Sequence, residues 1–288
     1  MVWRILPGSN PVEMKPLLLV VENDSGTRRL LEIFLRREAF ETDAIATGDE
    51  ALLLLDRVDY SAVVLDLLIP GRTGSDVLAE IAARRPALLR RIVVISSATE
   101  AHLRDVWGRY PSVAMLRKPF DLAELLASVR GCIGSHEPPA RPDLSQTFVR
   151  RSVVAGAKAG IVLRLEGGTL QPVSDFGYSP ATLEAFFPLS PDAPYPVCAA
   201  VRHARPVWIS ALNVAAEYPQ LAPILRENGT SALAAIPIVA GGRAAGVIGW
   251  SFSEPRAFDA AEQARFTAIA DEVASLIQAP TSASSRRA

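Results

Sequence analysis

The sequence has 288 residues, 49% hydrophobic and 21% charged, a composition that suits globular structure and a length that suits about two domains. A formal net charge of -1, with acids and bases interleaved, lacks the broad positive surface that grips phosphate backbones, so direct nucleic-acid partners are set aside. Cys132 and Cys198 stand too far apart in sequence to suggest a disulfide framework or a thiolate metal site.

No apolar run reaches the roughly 18 residues that span a bilayer, and Met1 to Lys15 lacks the sustained hydrophobic core of a secretory signal. The expectation is a cytoplasmic protein with no membrane segment. Residues 1–14 read as a flexible tail, with Met14 as an alternative start.

From Leu17 onward, short apolar runs alternate with amphipathic stretches. Leu17 to Val21, Ala62 to Leu65, Arg91 to Ile95 and Val113 to Leu116 are apolar almost throughout, as strands covered on both faces of a parallel sheet must be. Glu41 to Ala46 is a poorer strand, suited to an edge. Thr27 to Glu38, Asp49 to Val58, Ser75 to Arg84, Thr99 to Arg109 and Asp121 to Cys132 read as helices, many opened by Asp, Ser or Thr in capping position. Five βα units predict a doubly wound α/β domain, flavodoxin-like, over residues 15–134, with its site at the carboxyl ends of the strands.

The Pro-rich stretch at 135–144 reads as a linker. A second, α+β domain with a central antiparallel sheet is expected over 145–280, before a disordered tail at 281–288. It opens with a helix (Ser145 to Ala157), followed by strands at Gly160 to Leu165 and Leu170 to Phe176 around Gly167-Gly168. Helices at Ala181 to Phe187 and Pro196 to His203 precede a strand at Val207 to Ser210. Ala232 to Val239 and Ala244 to Phe252 flank Gly241-Gly242, a hairpin signal. The last helix opens at Asp259 with Glu262 three residues on, the spacing of a capping box.

Four motifs in order make the first half resemble a response-regulator receiver domain. They are Val20-Val21-Glu22-Asn23-Asp24, Val63-Val64-Leu65-Asp66-Leu67-Leu68-Ile69-Pro70-Gly71-Arg72-Thr73-Gly74, Val93-Val94-Ile95-Ser96-Ser97-Ala98 and Arg117-Lys118-Pro119-Phe120. The resemblance implies that Asp66 accepts a phosphoryl group from a histidine kinase or phosphotransfer protein. It also implies Mg²⁺ held by Asp66, the Asn23 side chain and the Leu68 carbonyl, with Glu22 acting mainly through water, since Mg²⁺ keeps several waters and needs few carboxylates. Lys118 would pair with a phosphoryl oxygen through a step with a cis peptide bond to Pro119, and Ser97 would bond another oxygen and draw its loop inward. Asp24 reads better as the cap of the first helix than as a metal ligand. Two departures from the family pattern stand out: Asn23 replaces an acid, and Met115 replaces the aromatic switch residue.

The second half is similar to GAF domains, carried by Gly167-Gly168, Val201 to Ile209, Ala234-Ala235-Ile236-Pro237-Ile238 and Gly242 to Gly249. That resemblance implies a small-molecule pocket, for which Phe186, Phe187, Trp208, Tyr218 and Trp250 are the candidates. A bilin on Cys198 or a haem on His203 lacks a supporting local motif. The cluster Arg84, Arg85, Arg90 and Arg91 reads as a solvated loop. The apolar stripe of the last helix could pair with a second chain to make a homodimer, or cover its own sheet. The expected protein is a phospho-accepting response regulator with no enzymatic activity beyond self-phosphorylation and self-dephosphorylation at Asp66. Its alternative is a phosphorylation-independent adaptor.

Overall fold

The computed structural model describes residues 15–134, 143–210, 214–221, 225–226 and 228–278. The tails expected at 1–14 and 281–288, and residues 135–142 of the expected linker, lie outside the described residues. The chain divides into two compact units.

The first unit is built from β1 (Leu17–Val21), α1 (Ser25–Arg37), β2 (Glu41–Ile45), α2 (Gly48–Arg57), β3 (Ala62–Asp66), α3 (Gly74–Arg84), β4 (Ile92–Ser96), α4 (Glu100–Arg109), β5 (Ala114–Arg117) and α5 (Leu122–Ile133). All five strands are parallel, in the order β2-β1-β3-β4-β5. Every residue of β1, β3 and β4 is buried. Leu18, Val20, Val64, Val93 and Ile95 face Leu31 and Leu35 of α1 and Leu125 and Val129 of α5. The alternate residues Leu19, Val21, Val63, Leu65 and Val94 are just as inaccessible, so the opposite face is covered too. β2 is an edge strand with buried polar residues, and Asp43 accepts a hydrogen bond from the Tyr60 hydroxyl at 2.9 Å.

Helix boundaries follow their caps. Asp24 accepts from the Thr27 amide at 2.7 Å, so α1 starts at Ser25, two residues earlier than the sequence suggests. Thr73 and Asp76 form a reciprocal capping box that opens α3 after the loop that follows β3. The arginines expected in a solvated loop do more than solvate it. A 3-10 turn spans Pro86–Arg91; Arg85 bonds the Leu55 carbonyl and pairs with Asp59, and Arg91 donates to the Tyr60 carbonyl at 3.0 Å. These bonds tie the turn before β4 to the segment before β3.

The second unit contains α6 (Leu144–Val154), β6 (Ala159–Glu166), β7 (Thr169–Phe176), α7 (Pro180–Phe186), α8 (Pro196–His203), β8 (Val207–Ile209), α9 (Val214–Glu217), β9 (Ala232–Ala240), β10 (Arg243–Phe252) and α10 (Ala260–Gln278). The antiparallel sheet has the order β7-β6-β10-β9-β8. Gly241 and Gly242 both have positive φ, the conformation a tight hairpin turn needs and only glycine adopts without strain.

One face of this sheet carries a run of ring contacts joining Phe148 of α6, Phe176, Trp250, Phe252 and Phe266 of α10. The other face carries Ile161, Leu163, Ala235 and Val247 against Leu189, Cys198 and Val201. On α10, Phe266, Ile269, Ala270 and Val273 are buried within their own domain, so this part of the stripe is not left open for a second chain. Asp259 caps α10 by accepting from the Glu262 amide, but the Glu262 carboxylate pairs with Arg256 at 2.6 Å instead of closing the capping box.

Candidate phosphoryl site and sensory cavity

The carboxyl ends of β1, β3 and β5 bring three charged side chains together. Glu22 follows β1, Asp66 ends β3, and Lys118 follows β5, fixed by its backbone N–H, which donates a hydrogen bond to the Ser96 carbonyl at 2.8 Å. The order of the strands reverses between β1 and β3, where such sheets place their ligands. Lys118 Nζ lies 2.5 Å from Glu22 Oε2 and 2.7 Å from Asp66 Oδ2. The remaining oxygens are also engaged: Glu22 Oε1 accepts from the Asp24 amide at 3.0 Å, and Asp66 Oδ1 accepts from the Leu68 amide at 2.9 Å. Both carboxylates are almost inaccessible, while the Lys118 side chain keeps 22% of its surface open. Burial pulls the Lys118 pKa down, but hydrogen bonds to Asp66 and Glu22, and their charges, outweigh it and leave the pKa raised. The ammonium is therefore firmly protonated at neutral pH.

The surrounding loops are held by backbone constraints. Arg28 of α1 donates to the Glu22 carbonyl at 2.7 Å and to the Asn23 carbonyl at 2.9 Å. A Cβ at Gly74 would collide with the Asp66 carbonyl and the Leu67 backbone, so the loop after β3 can fold back only over glycine. Ser96 is fully buried, and its hydroxyl accepts from the Ala98 amide at 3.1 Å, which shapes the loop after β4. The Lys118-Pro119 peptide bond is cis.

Of the residues expected to act together, Glu22, Asp66 and Lys118 form the cluster. Ser97 is exposed on the loop at the same end of the sheet, Asn23 is exposed after Glu22, and the Leu68 side chain is exposed beside Asp66. Met115 is half-buried within β5. Glu22 contacts Lys118 directly. Among the described residues no group of three or more His, Cys, Asp or Glu is arranged for a metal. Two carboxylates converging on one cation nonetheless fit a hard ion that asks for one or two carboxylates and fills its shell with water.

The second unit holds a cavity of about 140 Å³ between the sheet and the segments around α7 and α8. Its walls include Ile161, Leu163, Phe186, Phe187, Val197 and Leu233. Of the expected pocket residues, Phe186, Phe187 and Trp250 line it. Trp208 does not; its ring packs on Phe258 at 5.3 Å. Tyr218 also lies outside the lining and packs with Leu221 and Leu225. Trp250 is on the lining, while its indole N–H donates to Ser152 Oγ at 2.8 Å and its ring packs among the helix-side aromatics. Side chains alternate along a strand, and the neighbours Gly249 and Ser251 lie on the lining beside it. Cys198 is fully buried, and burial pushes its thiol up to about 11.

Residues 18–130 match the response regulator receiver domain family, and residues 141–278 match the GAF domain family. The chain joins a receiver domain to a GAF domain. Over the receiver it is 30% identical across 117 residues to sensory transduction protein RegX3 of Mycobacterium tuberculosis, a match covering 40% of this chain and 50% of that protein. RegX3 of Mycolicibacterium smegmatis is 29% identical over the same length and shares. The chain spans about half the length of the curated relatives it matches. Among solved structures, a response regulator receiver protein from Pseudomonas putida is 29% identical with a TM-score of 0.38, covering 41% of this chain and 98% of that one. The receiver domain of the Francisella response regulator 1452 is 21% identical with a TM-score of 0.39, covering 43% and 100%.

Three parts of these sites escaped sequence reasoning. Arg28, one turn into the receiver's first helix, gave only the faint signal of a cation close behind the acidic motif. Ser96 was overshadowed by the adjacent Ser97. In the GAF domain, Tyr178 and Ser251 share a hydrogen bond of 2.8 Å across 73 residues of sequence, a pairing that only the sheet register creates.

Proposed function

We propose that this protein is a two-component response regulator. Its receiver, taken as residues 15–134, accepts a phosphoryl group on Asp66 from a histidine kinase or phosphotransfer protein, and its GAF domain, taken as 145–280, couples that event to a small ligand. The observation that carries the reading is Lys118 Nζ held 2.7 Å from Asp66 Oδ2 and 2.5 Å from Glu22 Oε2.

A carboxylate that takes up a phosphoryl group gathers dense negative charge, and positioned cations are what make the transfer feasible. Lys118 supplies one as a compact point charge. Asp66 is the nucleophile, its orientation set by the Leu68 amide on the oxygen not bonded to Lys118. Glu22, Asp66 and the Leu68 carbonyl, with Asn23 as a neutral donor, would hold Mg²⁺, which when bound offsets phosphoryl charge. Ser97, exposed on the loop after β4, would bond a phosphoryl oxygen and shift that loop, with Met115 repacking in place of an aromatic ring.

The reading places the protein in the cytoplasm and gives it no reaction beyond gain and loss of its own phosphoryl group. Direct nucleic-acid binding has no support in the charge balance. Neither is dimerisation part of the reading, because much of the α10 stripe is buried in its own domain. No helix among the described residues is long and apolar enough to cross a membrane.

The test is incubation of the full chain with acetyl phosphate and Mg²⁺, followed by intact-mass measurement. One phosphoryl group should be gained by the wild type and lost in Asp66→Asn. No gain in the wild type would favour the phosphorylation-independent adaptor, which Asn23 and Met115 motivate.

A further inference from the structure

The GAF cavity has walls that narrow the chemistry of its ligand. Leu, Ile, Val and Phe dominate them, and among the described residues no Asp, Glu, Lys, Arg or His lines the space. A phosphate group carried into such surroundings would shed its hydration without meeting a cation, an uncompensated burial of charge. The volume of about 140 Å³ is close to that of an apolar cavity in another protein, about 150 Å³, which stays dry and takes up benzene.

Polar side chains interrupt these walls at Tyr178, Thr182, Tyr195, Asn228, Thr230 and Ser251. Tyr178 Oη and Ser251 Oγ, both on the lining, lie 2.8 Å apart. Two hydroxyls carry two hydrogens, and the bond between them uses one. The second has no hydrogen-bond partner among the described residues. Burial raises the Tyr178 pKa, opposed only in part by the bond to Ser251, so this group is a neutral hydroxyl at physiological pH. A donor left over by this pair in a mostly apolar chamber favours a ligand with an acceptor placed against it.

We propose that the GAF cavity binds a neutral, largely apolar molecule about the size of one six-membered ring, with an oxygen held by the Tyr178–Ser251 hydroxyl pair. This inference rests on the reading of the domain as ligand-sensing and adds the class of ligand. It sets the cavity apart from sites for phosphate-bearing ligands, which need a cation that the described residues of these walls do not offer.

The test uses the full chain with phenol, toluene and cyclic GMP as probes, binding being followed by ligand-observed NMR. Phenol and toluene should bind saturably, and cyclic GMP should not. The double variant Tyr178→Phe, Ser251→Ala removes both hydroxyls and leaves neither partner orphaned. It should weaken phenol by roughly threefold to tenfold, the worth of one net hydrogen bond, and leave toluene unchanged. Val197→Phe, which enlarges a half-buried wall side chain facing Gly249, should abolish binding of both aromatics while the unfolding temperature shows the fold retained.

Equal phenol affinity in the double variant, or no saturable binding of either aromatic to the wild type, would overturn the inference. Cyclic GMP displacing phenol would overturn the ligand class but leave the sensing reading intact. That reading has a separate readout, the hydrogen exchange of β4 and β5 amides in the receiver with and without saturating phenol. No change there would sink the coupling and leave the ligand class standing.

Discussion

Replacing Lys118 with methionine isolates the electrostatic design of the receiver site. In the wild type, Nζ lies within 2.7 Å of one oxygen of Asp66 and one of Glu22, so those two oxygens can be no more than about 5 Å apart. Both side chains are nearly inaccessible, 6% and 1% exposed, and cannot swing into water. With the ammonium gone, two unit charges at that separation repel by about 3 kcal/mol at an effective dielectric near 20. Each also loses its attraction to the cation.

Lys118→Met should therefore lower the free energy of opening of β1 and β3 amides by roughly 2–4 kcal/mol at neutral pH in the presence of a chelator. Peptide-resolved hydrogen exchange on the full chain reads this in the receiver alone. Addition of Mg²⁺ should restore much of the loss. In the wild type the sign runs the other way with alkali. The Lys118 pKa is raised, so its contribution is fully present below the ordinary lysine value and is lost as pH climbs through the folded value. Unchanged exchange in the variant, with no response to Mg²⁺, would refute the reasoning.

Gly74→Ala should distort the loop after β3, because the new methyl meets the Asp66 carbonyl and the Leu67 backbone; a destabilisation of roughly 1–3 kcal/mol and slower phosphorylation by acetyl phosphate are expected. Arg28→Ala frees the Glu22 and Asn23 carbonyls and should weaken Mg²⁺ binding in a calorimetric titration, with little effect on unfolding temperature. The Cys198 thiol, pushed up to about 11 by burial, should resist iodoacetamide at pH 8 in the folded protein and react once urea unfolds it. Its stability contribution is complete below the ordinary thiol value near pH 9, and should decline between there and about 11 as the unfolded state ionises first.

The parallel sheet was legible because its strands are buried on both faces and read as unbroken apolar runs, with Leu17–Val21 the clearest case. The antiparallel sheet was legible from its glycine turns. The Asp66 to Lys118 convergence followed from motifs that each end a strand, since all parallel strands deliver their carboxyl ends to one edge. The cavity was harder. Size alone points to Trp250, which does reach the lining, but period-two alternation turns its ring with Ile248 and Phe252 to the helix side and brings its small neighbours Gly249 and Ser251 to the cavity. Trp208 and Tyr218 were likewise aromatic choices made without a register. Tyr178 carries no local signal at all, because its partner is set by tertiary pairing.

The central claim is that Glu22, Asp66 and Lys118 enclose a place for one tetrahedral anion on a carboxylate. Fluorine NMR of the full chain with beryllium fluoride and Mg²⁺ tests it most directly, because trifluoroberyllate bonded to a carboxylate imitates the phosphoryl group. A bound resonance should appear in the wild type and vanish in Asp66→Asn. A wild type with no such resonance, or one that persists without Asp66, would contradict the account.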